Sequence, residues 1–140
     1  MTTPLPDPQT ATEIVIRALL ETPAIKVIVG DRVTVAPLPT EYYAPSGPSD
    51  PMLMVLHKSE SESYTLSGAD GYPVTAIEVE AISQHSASEA ERLGKAVITA
   101  LKDYRKGDIR IMKGTGDNSE YNDEEALWRR TMEFMVRWHD

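Results

Sequence analysis

Eight of the ten prolines in this 140-residue chain fall in two short stretches, and they decide where regular structure is impossible. Proline lacks a backbone N–H and locks φ, so it is excluded from helix interiors and central strands. Three prolines lie in Met1 to Gln9, which reads as an arm over about residues 1–9. Five lie in Pro37 to Pro51 with Ser, Gly, Glu and two tyrosines, which reads as a long exposed loop over 37–51. Loops of that length in compact domains often carry binding functions. All regular structure must come from the segments between and after them. Their combined length supports one core, so residues 1–140 read as a single domain.

Thr10 stands three residues before Glu13, the spacing of a capping box, and predicts a helix running to about Thr22. Ala11, Ile14, Val15, Ala18 and Leu19 fall on one face, and Ile16 and Leu20 widen the apolar stripe. Pro23 opens a short second helical turn, Ala24 to Val29, with Gly30 as its C-cap. A short strand follows over Val33 to Ala36. Met52 to Lys58 reads as a buried strand, Ser59 to Ser63 as a polar bend, and Gly68 to Gly71 as a turn. Val74 to Ser83 alternates with period two, Ile77, Val79 and Ala81 opposing Glu78 and Glu80. Ser86 and Glu89 form a second capping box before a helix carrying Ala90, Leu93, Val97 and Leu101 and ending near Asp103. Gly94 costs about 1 kcal/mol against alanine in a helix, so its presence points to close packing. Ile109 to Lys113 reads as a strand and Gly114 to Asn118 as a turn. Leu127 to Trp138 reads as the last strand, with Met132, Phe134, Val136 and Trp138 facing the second helix. The expected fold is α+β, two main helices packed on a mostly antiparallel β-sheet in the order α-β-β-β-α-β-β.

Composition bounds the chemistry. Fourteen Lys and Arg against 22 Asp and Glu give a net charge of −8, which opposes any grip on nucleic acid phosphates. No cysteine is present, so thiolate metal sites, disulfides and cysteine nucleophiles are excluded. No apolar run approaches the roughly 20 residues that span a bilayer, and Met1 to Thr10 lacks the pattern of a signal peptide. His57, His85 and His139 lack metal-ligand spacing, and no G-x-S-x-G elbow exists. The expectation is therefore no catalytic residue, no metal and no cofactor: not an enzyme. Gly114-Thr-Gly116 lacks the Lys-Ser/Thr of a phosphate loop.

Two groups remain as candidate sites. Asp117, Glu120, Asp123, Glu124 and Glu125, interleaved with two asparagines, form a candidate acidic loop. It lacks the central glycine of a calcium loop, so a solvated connection between strands is the first reading, with an opportunistic cation site or a contact surface for a basic partner behind it. Tyr42, Tyr43, Tyr64 and Trp128 are candidate interface residues, because large rigid aromatic side chains anchor protein contacts. Lys102, Arg105, Lys106 and Arg110 form the one basic cluster, placed where it complements a helix C-terminus.

From about Ala18 to Trp138 the chain resembles a known family. The residues are Leu19-Leu20 before Pro23, Val29-Gly30-Asp31-Arg32-Val33, Tyr64-Thr65-Leu66 with Gly68, Val79, Ala90-Glu91 with Leu93, and Ala96-Val97 with Ala100-Leu101. Tyr121-Asn-Asp, Arg129-Arg130 and Phe134 with Val136 complete the pattern. In this order it resembles the tail-completion, or tail-terminator (head-tail joining), proteins of long-tailed bacteriophages and related gene transfer agents. The resemblance implies a non-catalytic structural protein of the virion tail and neck, assembled in the bacterial host cytoplasm. It implies a homo-oligomeric ring, usually of six copies, that caps the head-proximal end of the tail tube and stops its polymerisation. Its implied partners are the tail tube protein and a head-tail connector or neck protein. Genome DNA passes through the lumen without specific binding, and no membrane is involved. The alternative is a head-completion or neck adaptor docked on the portal side; a small ligand-binding domain stands behind both. The loop after Ala36 and the acidic tract before Leu127 are longer than the family pattern, so no loop contact transfers.

Overall fold

The computed structural model describes residues 10–35, 51–65, 68–123 and 126–138. The expected arm and nearly all of the Pro-rich loop, including Tyr42 and Tyr43, lie outside the described residues, as do Glu124, Glu125 and His139.

Helix α1 spans Ala11–Leu20, and the Thr10 hydroxyl accepts the Glu13 N–H at 3.1 Å. It ends with its apolar stripe at Leu20, two residues before the expected end near Thr22. Thr22 turns its hydroxyl back to the Ala18 carbonyl at 2.8 Å and becomes the N-cap of α2, Pro23–Val29. Proline at the first turn costs nothing there, because that N–H has no helical partner. Gly30 closes α2 at a φ of 59°, its N–H on the Lys26 carbonyl at 2.8 Å. Arg32 then ties the connection together, bonding the Ile28 carbonyl at 3.1 Å and the Pro51 carbonyl at 2.9 Å.

The strands are β1 (Val33–Val35), β2 (Met52–Thr65), β3 (Gly68–Ser83), β4 (Arg105–Lys106), β5 (Ile109–Asn122) and β6 (Leu127–Arg137), with α3 at Ala87–Leu101 between β3 and β4. They form one sheet in the order β1-β2-β3-β6-β5-β4. Among the described residues only the β1–β2 pair is parallel, Val33 lying opposite Leu53.

The expected fold class is corrected by this arrangement. In place of two main helices on a mostly antiparallel sheet in the order α-β-β-β-α-β-β, the chain is mostly β. Its described residues form three helices and a curled six-stranded mixed sheet in the order α-α-β-β-β-α-β-β-β. Three physical causes account for the difference. Parallel pairing needs a connection of a dozen or more residues, and the long segment after β1 supplies it. Bulges between His57 and Ser59 and between Glu62 and Tyr64 let β2 run through the polar tract that reads as a bend. Backbone pairing with β6 likewise carries β5 on to Asn122, through the Gly114 to Asn118 stretch that reads as a turn from sequence.

One face of the sheet is covered by helices. Leu53, Val55, Ile77, Val79, Ala81, Ile111, Met132, Phe134 and Val136 pack there against Ile14, Val15, Leu19, Leu93, Val97 and Leu101 in one buried cluster. The rows Met132, Phe134, Val136, Trp138 and Ala90, Leu93, Val97, Leu101 are all buried, as their periodicity predicts. A smaller cluster of Met52, Met54, Ile82 and Leu127 lies on the opposite face. β6 is therefore a central strand, and both of its faces have work to do.

Candidate functional site

β5 and β6 position most of the polar side chains. Their pairing places Tyr121 opposite Trp128, Glu120 opposite Arg129, and Ser119 opposite Arg130. The Tyr121 and Trp128 rings lie 4.6 Å apart at 41°, the tilted geometry aromatic pairs prefer. Trp128 is half-buried and Tyr121 is 47% exposed, so the pair presents a π surface to solvent. With Ala87, Ala90 and Glu91 of α3, and with Ser119, Glu120 and Arg129, the rings line a cleft of about 240 Å³. The Ser119 hydroxyl donates to the Glu91 carboxylate at its rim.

Beside the cleft, Arg130 locks α3 to the sheet. Its guanidinium forks onto Asp117 at 3.0 and 3.1 Å and reaches the Glu91 carboxylate at 3.3 Å. The fork holds the Asp117 carboxyl below its ordinary range. A Cβ on Gly94 would sit 2.5 Å from the Arg130 Cδ, so this glycine is where the helix admits the arginine stem.

The acidic tract is thus not a loop over its first part. Asp117 and Glu120 stand on β5, on opposite faces of the sheet, and Asp123 is exposed in the following turn. Carboxylates on opposite faces do not converge on one ion, and no group of three metal-ligating side chains occurs among the described residues.

The helix-free face carries a second network. The Glu133 carboxylate sits in the wide bulge at Gly114–Gly116, where Lys113 and Asp117 pair with Phe134 and Met132. Backbone N–H groups of Thr115 and Gly116 and the Lys58 ammonium, at 2.8 Å, hold the Glu133 carboxyl low; the Lys58 hydrogen bond is the largest cause. Lys58 also meets Glu78 at 3.4 Å. The Gly-Thr-Gly bend therefore binds an anion of its own chain. Nearby, Glu80 pairs with Arg129 at 3.2 Å, both side chains nearly buried. Burial pushes the Glu80 carboxyl up, and Arg129 opposes that shift.

At the far end of the same strands, Arg105 lies opposite Arg110 and Arg110 opposite Arg137. The three arginines thus form a row across β4, β5 and β6 on the helix-free face. Tight turning at Gly107, with φ 60°, brings β4 back onto β5. Lys106 reaches Glu21 of α1 at 3.4 Å, while Lys102 is exposed at the α3 C-cap.

Of the residues singled out from sequence, the structure stacks Trp128 on Tyr121 in one cleft and turns Glu120 to the opposite face, beside Arg129. It directs Asp117 to Arg130 and leaves Asp123 exposed. Tyr64 lies on β2, opposite Ala69 in the distal β2–β3 hairpin, away from that cleft. Sequence reasoning missed Arg130, Glu91, Glu133 and Lys58. An Arg-Arg pair inside an otherwise strand-like apolar run was the available signal for Arg130.

Chemically, the cleft offers the π surface of Tyr121 and Trp128; the Glu91 carboxylate at its rim is held by Arg130 and the Ser119 hydroxyl, and the Glu120 side chain stands on the opposite face. These features define a class: a small, mostly β protein built on one curled sheet, with its polar chemistry in surface networks. In fold the chain is similar to a chain of the virion of a native gene transfer agent (GTA) particle. The TM-score is 0.62 at 18% sequence identity, covering 90% of this chain and 92% of that one. No protein-family model and no curated protein matches the sequence.

Proposed function

We propose that this chain is a structural virion protein that forms a ring, most naturally of six copies, on the head-proximal end of a phage-like tail tube. There it ends tube polymerisation and joins the tail to the head. The observation that carries this is the fold correspondence over nearly the full length of a gene transfer agent virion chain. The ordered sequence resemblance to tail-terminator proteins supports the finer role. Charge is consistent with it: six copies at −8 each carry −48, and an acidic bore does not retain DNA passing through it. The partners under this proposal are the tube protein on one side and a connector or neck protein on the other. Tyr42 and Tyr43 are proposed as contact residues in those junctions.

Electron microscopy of particles from a strain carrying a tagged copy tests the proposal. A ring of tag at the junction of tube and head is the expected result. Deleting the gene should yield over-long tubes without heads. Tubes of normal length that remain unjoined would move the protein to the portal side as a neck adaptor. Its absence from particles would overturn the proposal.

A further inference from the structure

We propose that residues 1–9 fold back along α1 of their own chain and seat Leu5 in the apolar groove between α1 and α2. This contact goes beyond the proposed ring and does not depend on it.

Helix α1 carries more apolar surface than the core uses. Ala11, Ile14, Val15, Ala18 and Leu19 are buried in the main cluster. Ile16 and Leu20, four residues apart and so neighbours on the helix surface, form a second row that is only half-buried. Ile16 touches the rim of the main cluster, and Leu20 belongs to neither cluster among the described residues. With Glu13, Arg17, Glu21 and Lys26, this row lines a groove of about 410 Å³. Glu21 and Lys26 already meet Lys106 and Asp31, at 3.4 and 3.9 Å. A groove with an aliphatic floor and paired charges at its margin takes an apolar segment rather than an ion.

The chain itself supplies such a segment beside the groove. Residues 1–9 lead into Thr10, the N-cap of α1, and the groove begins three residues later at Glu13. They set Leu5 between Pro4 and Pro6, with Asp7 as their one charged side chain. Proline-flanked segments favour the polyproline II form, which rises about 3.1 Å per residue and loses little entropy on docking. Asp7 followed by Pro8 is the opening of a type I turn, the kind that reverses the chain over Thr10. From that turn Leu5 lies two residues back, about 6 Å along the helix. Ile16 stands six residues past Thr10, about 9 Å along it. The two come level within one helical turn, and Pro4 continues toward Leu20. A segment of another protein has to arrive from solution. The arm is tethered at the groove, at an effective concentration on the order of millimolar.

The chain has no cysteine, so two introduced ones can be labelled without background. Spin labels go on Thr3→Cys and on Val27→Cys, a position 86% exposed and outside the groove's lining. Their separation is read by double electron–electron resonance. One narrow distance distribution is expected, and it should persist when the labelled protein is diluted into an excess of unlabelled parent. Adding Leu5→Ser should lower the docked-to-free ratio about tenfold or more, the worth of burying one leucine, and broaden the distribution. Leu20→Asp alters the groove instead of the arm and should broaden it in the same way. Circular dichroism like the parent's separates undocking from unfolding in both. A broad distribution in the labelled parent overturns the proposal. So does a narrow one that both substitutions leave unchanged. Loss of the narrow distribution on dilution overturns it too, by assigning the arm to a neighbouring copy. None of these outcomes moves the ring proposal, which stands or falls on the particles.

Discussion

Among the described residues Phe134 is the largest side chain that the fold buries completely, on the central strand and under α3. Truncation there removes transfer energy and leaves a cavity, so Phe134→Ala should cost about 3–5 kcal/mol. A domain of this size has roughly 5–15 kcal/mol in all. Urea denaturation should show the loss as a lowered midpoint. Asp117 is a milder case. Arg130 depresses its folded pKa below the ordinary 3.8, so its contribution is present above that value. It is lost as pH falls through the folded pKa. Asp117→Asn should therefore be less stable than the parent near neutrality, by on the order of 1 kcal/mol or less for a partly exposed pair. The gap should close as pH falls below the ordinary 3.8 and through the depressed folded pKa. Glu80 has the opposite sign, because burial raises its pKa and protonation relieves the cost. Urea titrations at several pH values on Asp117→Asn and the parent separate the two. Ala126 adopts a φ of 54°, where a Cβ is costly. Ala126→Gly should raise the melting temperature, since glycine enters that region freely.

At the scale of elements, α3 is held at two points that its own periodicity does not reveal. The first is its N-terminus. The Ser86 hydroxyl accepts the Glu89 N–H at 3.1 Å, as the capping spacing predicts. The return half of the box runs through Ser83 instead. Its buried hydroxyl donates to Glu89 at 2.7 Å and accepts the His85 and Ser86 N–H groups at 3.0 and 3.2 Å. Ser83→Ala strands those groups and should cost about 1–3 kcal/mol. Hydrogen exchange at the first turn of α3 should rise with it. The second point is Gly94. In an open helix Gly→Ala returns about 1 kcal/mol. Here the new methyl meets Arg130, so Gly94→Ala should give less than that, and the lost Arg130–Asp117 pairing should show in a double-mutant cycle.

For the whole molecule, the acidic tract and the proposed ring are what would reach beyond one chain. The two carboxylates of that tract on β5 face opposite sides of the sheet, and one is already bonded to Arg130. Stripping divalent cations with a chelator should therefore leave both the melting temperature and assembly unchanged. A chelator-induced fall in either would restore a cation role for Asp117 to Glu125. Tyr43→Ala should leave the melt unchanged and reduce the fraction of tails joined to heads, counted by microscopy.

Local chemistry alone determined a good part of this protein. Both capping serine and threonine positions, the apolar faces of α1 and α3, the alternation of β3 and the inward row of β6 follow from neighbours a few residues apart. So does the close approach at Gly94, because glycine in a helix interior has a cost that something must offset. Tertiary structure decided the rest. Whether β1 pairs in parallel, how far β5 and the β2–β3 hairpin extend, and which arginines stand side by side depend on partners tens of residues distant. Backbone pairing extends strands through Ser, Glu and Gly tracts that have no hydropathic signal of their own. The β-bulge that seats Glu133 exists only where two strands meet out of step. The same holds for the candidate surfaces: Tyr121 gains its stacking partner, and Arg110 its two arginine neighbours, only when β4, β5 and β6 come into register.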